Sequence, residues 1–455
     1  MEGFYVQNFG CRATQADGAD IERQFRDRGI APARSPVDAQ VVVLNTCTVT
    51  AAADRDARAA IRRIRRENSA CQIIVTGCYA QRAPGELASL PGVSVVVGNS
   101  HKHQLVEIAA PSRPADGDPP VFVTDIFAHT QLLAAPVFEA GNDRTRPNLK
   151  VQDGCDNRCS FCVIPYVRGQ SRSLPLDRVI DEVNVLVAGG YKEVVVSGIN
   201  LGRWGRDLQP ENLRQTFAPR PGRPVQPCFE DLIEAILDHT ELEKLRISSV
   251  EPMDWSDRLI AQVAGSSRIA RHAHVPLQSG SDRVLRAMHR KYRPWHYRRK
   301  IEKIHSAMPP AAIGADVMVG FPGETDTDFE ETRRMVEDLP LTYLHVFTYS
   351  PRPGTPAASL GNQIPEPLAR ERNRILRELG EAKKLRFMRS FVGTTLQAIT
   401  LSGGGIDCQG DFTEAVTDNY LKLRVRGRQE SNRWIAAHVE GLQESTLTGS
   451  AKASQ

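Results

Sequence analysis

An alternation of short apolar runs with helical patterns limits the folds that this chain can adopt. Within residues 4–110, four such units place strand candidates at 4–9, 40–44, 72–76 and 93–97. Strands that alternate with helices predict a parallel sheet covered by helices on both faces. We therefore expect a doubly wound α/β domain over residues 1–145, ending in a Pro-rich linker at 111–120 and connecting structure.

The alternation resumes in the middle of the chain. Six further strand candidates lie at 149–152, 193–197, 244–248, 273–277, 315–319 and 344–349. Helical patterns separate them, which predicts a partial (β/α)6 barrel over residues 146–388. A stretch rich in Pro, Gly and Arg at 203–227 interrupts this pattern as an irregular insertion.

The remainder of the chain has a different pattern. Short β-prone runs at 395–401, 412–416, 421–425 and 434–439 are separated by Gly and Asp turns. This spacing predicts a small all-β barrel over residues 389–445. Residues 446–455 are small and polar, so we expect a disordered tail.

Composition restricts the class of protein and its location. The chain is 41% hydrophobic and 25% charged, and its apolar runs are far shorter than the roughly 20 residues that a membrane span requires. The N-terminus lacks the pattern of a secretory signal, so we expect a cytoplasmic protein without membrane contact. Nine cysteines in a reducing compartment favour metal ligation or catalysis over disulfides.

Three cysteines follow the first strand of the central domain at close spacing. Cys155, Cys159 and Cys162 form a C-x3-C-x2-C loop. Three thiolates can hold three irons of a cubane cluster and leave the fourth iron open to another ligand. A structural zinc site usually has four protein ligands, and no fourth Cys or His stands at such spacing. The loop therefore favours an iron–sulfur cluster.

A second set of cysteines is spread over the N-terminal domain. Cys11, Cys47 and Cys78 each follow one of its first three strands. Ligands of open α/β sheets bind at the carboxyl ends of the strands, so these thiols should meet in one crevice. Cys71 opens a strand at the opposite edge, and we expect it to be a structural or surface thiol.

The C-x3-C-x2-C loop resembles the signature of radical S-adenosylmethionine enzymes. In that superfamily, the open iron binds the amino and carboxylate groups of the cofactor. Other strand ends of the barrel then become candidates for cofactor binding. These candidates are Ser197, Asn200, Ser248, Glu251 and Gln278. Phe161, between the last two cysteines of the loop, resembles the aromatic position that packs near the adenine of the cofactor.

The three domains together resemble the methylthiotransferase family along nearly the whole chain. Residues 45–50, 77–81, 164–169, 171–173 and 285–292 are most similar to the branch that acts on N6-threonylcarbamoyladenosine in tRNA. The stretch 10–17 departs from that branch at Ala13 and Asp17. The tail corresponds to the family's RNA-binding TRAM domain.

The resemblance implies an activity and a set of partners. One S-adenosylmethionine would methylate a sulfur bound at the Cys11/Cys47/Cys78 cluster, and a second would be cleaved at the other cluster to activate C2 of the adenine. Two [4Fe-4S] clusters, a tRNA, a sulfide source and an electron donor such as flavodoxin or ferredoxin would be needed. Two related alternatives are the same chemistry on isopentenyladenosine or on a ribosomal-protein aspartate. A third is a different radical S-adenosylmethionine enzyme whose N-terminal cysteines bind something else. A redox-sensing RNA-binding protein without turnover is an alternative of another class.

Basic residues of the tail provide separate evidence for a nucleic acid. Lys422, Arg424, Arg426 and Arg428 alternate along a predicted strand. A period of two places all four on one face of that strand, where they could contact phosphates. We expect this face to bind RNA.

Overall fold

The computed structural model describes residues 3–109, 118–129, 132, 145–208, 226–407 and 410–452. Most of the predicted linker, most of the 203–227 insertion, Cys408 and residues 453–455 lie outside them. No helix in the described ranges combines the length and the apolar character needed to cross a membrane.

The N-terminal domain is a five-stranded parallel sheet in the order β1-β2-β3-β4-β5. Apolar side chains pack on both of its faces, as the doubly wound prediction requires. The strands are β1 (Phe4–Asn8), β2 (Val41–Thr46), β3 (Gln72–Gly77), β4 (Val93–Val97) and β5 (Val121–Phe122). The helices are α1 (Arg12–Asp27), α2 (Ala51–Glu67), α3 (Cys78–Arg82), α4 (Pro84–Ala88) and α5 (Leu105–Ala109).

The central domain contains the expected partial barrel. Its strands are β6 (Asn148–Asp153), β7 (Arg172–Ser173), β8 (Glu193–Gly198), β9 (Lys244–Ile247), β10 (His272–His274), β11 (Ala312–Val319) and β12 (Tyr343–Thr348). Six of them run parallel, and a bridge between Ser249 and His274 links the β6-β8-β9 part to the β10-β11-β12 part. The short β7 pairs antiparallel with β6 and was not predicted.

The helices of this domain cover the barrel and complete a large apolar core. They are α6 (Ile164–Arg168), α7 (Leu176–Ala188), α8 (Phe229–His239), α9 (Asp257–Gly265), α10 (Asp282–Ala287), α11 (Pro294–Ala307), α12 (Asp326–Asp338) and α13 (Glu366–Arg389). The long α13 leads directly into the tail.

The tail is a closed barrel in the order β13-β14-β15-β17-β16. Its strands are β13 (Thr395–Asp407), β14 (Gly410–Thr417), β15 (Lys422–Arg426), β16 (Trp434–Gln443) and β17 (Thr446–Ala451). The expectation of disorder from residue 446 was wrong for β17, because this strand closes the barrel between β15 and β16. Backbone pairing on both sides orders a segment whose composition alone gives no reason for order.

Ionic contacts join the domains. Asp17 of α1 binds Lys150 and Arg168 of the central domain, and all three side chains are buried. Arg352 reaches from the central domain to Asp54 of α2 at 2.7 Å. These contacts hold the N-terminal domain beside the barrel.

Candidate active site

A cavity of about 700 Å³ lies where the ends of the barrel strands meet the N-terminal domain. Cys155, Cys159 and Cys162 line it, and Cys11 lines it from the other domain. Thiols from both predicted sets therefore share one cavity.

The loop after β6 holds its three thiols close together. The amide of Cys162 donates to the carbonyl of Cys159 at 3.1 Å, which folds the C-x2-C segment into a turn. Burial, followed by nearby Cys159 and Cys155, raises the pKa of Cys162 to about 12. A buried thiolate needs compensating positive charge, which a bound metal cluster supplies. The donor set fits a cluster with one iron left open toward the cavity.

Two side chains donate hydrogen bonds to these sulfurs. Arg290 Nη1 lies 3.3 Å from Cys159 Sγ, and Asn200 Nδ2 lies 3.6 Å from Cys155 Sγ. Arg290 also forms an ion pair with Glu251. Hydrogen bonds to ligand sulfurs tune the reduction potential of iron–sulfur clusters.

Glycines at the sheet edge allow the second set of cysteines to converge. Gly10 and Gly77 precede Cys11 and Cys78, and both have positive φ (103° and 98°). A Cβ atom at Gly10 would lie 2.6 Å from Cβ of Cys47, so a larger residue would displace that thiol. The strand ends therefore approach one another only with glycine at this position.

The three thiols of this set influence one another. Burial, followed by Cys78 and more weakly by Cys11, raises the pKa of Cys47 to about 12. Cys78 also receives a hydrogen bond from Asn99 at 3.6 Å and packs against Val167 of α6. Three convergent thiols at the boundary between two domains again fit a cluster site.

All six residues expected to bind the cofactor line the same cavity. They are Phe161, Ser197, Asn200, Ser248, Glu251 and Gln278. Ser197 Oγ, Asn200 Oδ1 and Gln278 Oε1 are buried without a hydrogen-bond partner in the structure. Buried polar atoms are rarely left unpaired, so this wall is suited to a polar ligand.

The sequence did not indicate several other residues of this cavity. Arg12, at the start of α1, lies next to Cys11 at the strand edge and could have been found by the same strand-end argument. Tyr420 comes from the tail barrel, and no pattern in the sequence places it here. Additional lining residues are His272, His274, Asp316, Tyr343 and His345.

The basic face of the tail is partly as predicted. Lys422, Arg424 and Arg426 alternate with buried residues along β15. Arg428 was wrongly placed on this strand, because the chain turns at Gly427, where φ is 81°. Arg426 and Arg428 pair with acidic side chains at 2.8 and 3.0 Å.

A second cavity of about 400 Å³ separates the tail barrel from α13 and the central domain. Four of its lining residues are cationic: Arg146, Arg377, Lys384 and Lys422. Tyr343, His345 and Tyr420 line both cavities. A basic groove therefore adjoins the thiol-lined cavity.

Comparison with known proteins agrees with this architecture. Residues 3–98 match a family described as Uncharacterized protein family UPF0004, and residues 149–336 match the Radical SAM superfamily. The threonylcarbamoyladenosine tRNA methylthiotransferase MtaB of Aquifex aeolicus is 34% identical over 94% of this chain and 98% of its own. The MtaB protein of Bacillus subtilis is 33% identical over 92% of this chain and 90% of its own.

The chain belongs to the radical S-adenosylmethionine methylthiotransferases. Membership implies S-adenosylmethionine and a [4Fe-4S] cluster, which the Cys155 loop is suited to hold. Another relative, the tRNA-2-methylthio-N(6)-dimethylallyladenosine synthase of Novosphingobium aromaticivorans, is 35% identical over 87% of this chain and 86% of its own. Overall identity therefore does not separate the two kinds of methylthiotransferase.

A solved structure shares the fold of this methylthiotransferase. The radical S-adenosylmethionine methyltransferase TsrM of Kitasatospora setae has a TM-score of 0.54 at 16% identity. The match covers 79% of this chain and 77% of that one. This match supports the arrangement of an α/β domain beside a radical S-adenosylmethionine barrel.

Proposed function

We propose that this protein adds a methylthio group to C2 of N6-threonylcarbamoyladenosine in tRNA. The observation that carries the proposal is the opening of both cysteine sets onto one cavity, where Cys11 faces the same space as Cys155, Cys159 and Cys162. A reaction that couples a sulfur donor with a radical requires both sites to reach one substrate atom.

The second cluster is part of this proposal, with Cys11, Cys47 and Cys78 as its ligands. When bound, the barrel cluster would supply the electron that cleaves S-adenosylmethionine, and the N-terminal cluster would hold the sulfur that is methylated and transferred. The chain's own residues position the reactants. The unpaired polar atoms of Ser197, Asn200 and Gln278 fit the polar groups of the cofactor.

The tRNA would approach along the basic groove. Arg146, Arg377, Lys384 and Lys422 lead from the tail barrel to the cavity, where Tyr343 and Tyr420 can stack on an unpaired base. An anticodon-loop purine is accessible in this way. An electron donor such as flavodoxin or ferredoxin and a sulfide source complete the proposed set of partners.

Mass spectrometry of tRNA nucleosides from cells with and without the gene tests the proposal. The methylthio derivative of threonylcarbamoyladenosine should disappear with the gene and return with the wild-type chain. The Cys47→Ala variant should not restore it, although the purified variant should still form deoxyadenosine under reductant. Loss of a methylthio isopentenyladenosine would identify one related alternative instead. Mass spectrometry of the ribosomal proteins from the same cells, showing loss of a modified aspartate, would identify the other. A wild-type protein that forms no deoxyadenosine would support the redox-sensing alternative.

A further inference from the structure

One part of the cavity wall carries basic and aromatic side chains instead of thiols. Arg12 comes from the N-terminal domain, His272 and Tyr343 from the barrel, and Tyr420 from the tail. The rings form a cluster, with His272 and Tyr420 centroids 4.8 Å apart and Tyr343 and Tyr420 centroids 6.0 Å apart. All three domains therefore build this wall.

Arg12 differs from other arginines near this wall in its ionic partners. Arg290 pairs with Glu251, and Arg246 pairs with Glu193. Within the described part of the chain, the Arg12 side chain has no ion pair and no hydrogen bond. A guanidinium without a carboxylate partner, lining a ligand cavity, is suited to bind a carboxylate with two parallel hydrogen bonds.

The neighbouring groups do not supply the missing anion. Two carboxylates line this cavity, and both have other partners. Glu251 pairs with Arg290, and the ring nitrogens of His274 and His345 lie 3.4 and 3.3 Å from Asp316 Oδ1. His272 bonds the Tyr343 hydroxyl at 2.7 Å, and burial together with Arg246 lowers its pKa, so it is neutral. The positive charge of Arg12 is therefore available to a ligand.

We propose that Arg12 binds the carboxylate of the threonylcarbamoyl group, with Tyr343 and Tyr420 lining the same subsite. The inference rests on the proposed function and concerns how its substrate is chosen. An isopentenyl group has no polar atom that could accept a hydrogen bond from this guanidinium. Binding that group here would remove hydration water from Arg12 and leave its N–H groups without hydrogen bonds. Arg12 would thus favour the amino-acid-bearing adenosine over the isoprenoid-bearing one.

The test uses an anticodon stem-loop RNA that carries threonylcarbamoyladenosine, either as the free acid or as its methyl ester. The reconstituted wild-type protein should bind the acid and process it with a kcat/KM about tenfold or more above the ester. The Arg12→Gln variant should bind and process the two RNAs equally, and Arg12→Lys should retain part of the preference. Arg26→Gln, a change on the exposed side of the same helix, is the matched control and should behave as wild type.

Equal treatment of acid and ester by the wild-type protein would overturn the inference, and this comparison needs no variant. A loss in Arg12→Gln that is the same for both RNAs would also overturn it and assign Arg12 to an RNA phosphate. Iron content and deoxyadenosine formation of Arg12→Gln are measured in parallel. Damage beside Cys11 would lower the values for both RNAs alike, whereas loss of the carboxylate contact changes the acid-to-ester ratio. If the wild type instead forms deoxyadenosine but no methylthio product on either RNA, the proposed function fails, while the acid-to-ester binding ratio still decides the role of Arg12.

Discussion

Arg168 of α6 donates a hydrogen bond of 2.9 Å to Asp17 of α1, across the boundary between the two domains that carry the thiols. The same guanidinium bonds both oxygens of Asp153 at 3.0 Å. Lys102 and Lys150 also bind Asp17, and every member of this cluster is buried. Asp17 thus lies at the centre of the domain interface.

Replacing Asp17 with Asn should destabilise the protein. The change leaves Lys102, Lys150 and Arg168 buried with one fewer compensating charge, and breaking a buried ionic cluster costs about 3–5 kcal/mol. Denaturant unfolding of the two proteins measures the difference. Asp27→Asn, at the exposed end of the same helix, is the control, and equal losses in both variants would contradict the interpretation.

The stability contributed by Asp17 should depend on pH. Burial opposes its ionisation, but Arg168, Lys102 and Lys150 together lower its pKa below the unfolded value of about 3.9. The contribution is therefore fully present above that value and is lost as pH falls toward the lower folded pKa. The difference in unfolding free energy between wild type and Asp17→Asn should shrink below about pH 4. A difference that stays constant down to pH 3 would argue against this linkage.

Iron content should report two separate clusters. Wild type reconstituted without oxygen should hold about eight irons per chain, and replacing Cys155, Cys159 and Cys162 together with Ala should leave about four. The same should hold for Cys11, Cys47 and Cys78 replaced together. Cys71→Ala is the control, because this buried thiol lies away from both sets and bonds Asn68. A value of about four irons per chain in the wild type would show that the protein holds one cluster and not two.

Replacing Arg290 with Met should make the reduction potential of the barrel cluster more negative. The guanidinium donates to Cys159 Sγ at 3.3 Å, and a cationic donor to a ligand sulfur stabilises the reduced, more negative state. A redox titration followed by electron paramagnetic resonance measures the shift. The control is Arg286→Met, an exposed change on α10, which should leave the potential unchanged. If the potential of Arg290→Met equals that of the wild type, the hydrogen bond from Arg290 does not tune the cluster.

Intramolecular pairing should limit the contribution of the tail to RNA affinity. Each phosphate neutralised adds about 0.7–0.9 to the slope of log affinity against log salt. Arg424, Arg426 and Arg428 already have acidic partners. Changing all four basic residues to Gln should therefore lower the slope by about 0.7–0.9, the contribution of Lys422, instead of about three. Glu440→Gln releases Arg426 and should raise tRNA affinity at low salt, and its failure to do so would show that Arg426 does not contact RNA.

Strand periodicity predicted the architecture well wherever burial determines it. The strand Val93–Val97 has the bounds that its apolar run predicts. The prediction failed for Thr446–Ala451, since these small residues form a strand through pairing with β15 and β16 and not through their own propensity. The prediction for Arg428 also failed, because the strand ends at Arg426 and the chain turns at Gly427.

The candidate site was predictable to the extent that strand ends determine it. Both sets of cysteines follow strands, so their convergence could be deduced from order alone. Arg290 stands beside Lys291 in a basic stretch of the sequence, and only the folded chain shows it bonded to Cys159. Tyr420 could not be foreseen, because the docking of one domain against another has no local signal in the sequence.

The position of Tyr420 has a consequence for how the protein is made. Synthesis proceeds from Arg12 toward Tyr420, so the ribosome has finished both thiol-bearing domains before the residue that completes the cavity wall emerges. During that interval the cysteines face a cavity with one side missing. A cluster inserted during that interval would meet a wider opening than one inserted after the tail barrel docks.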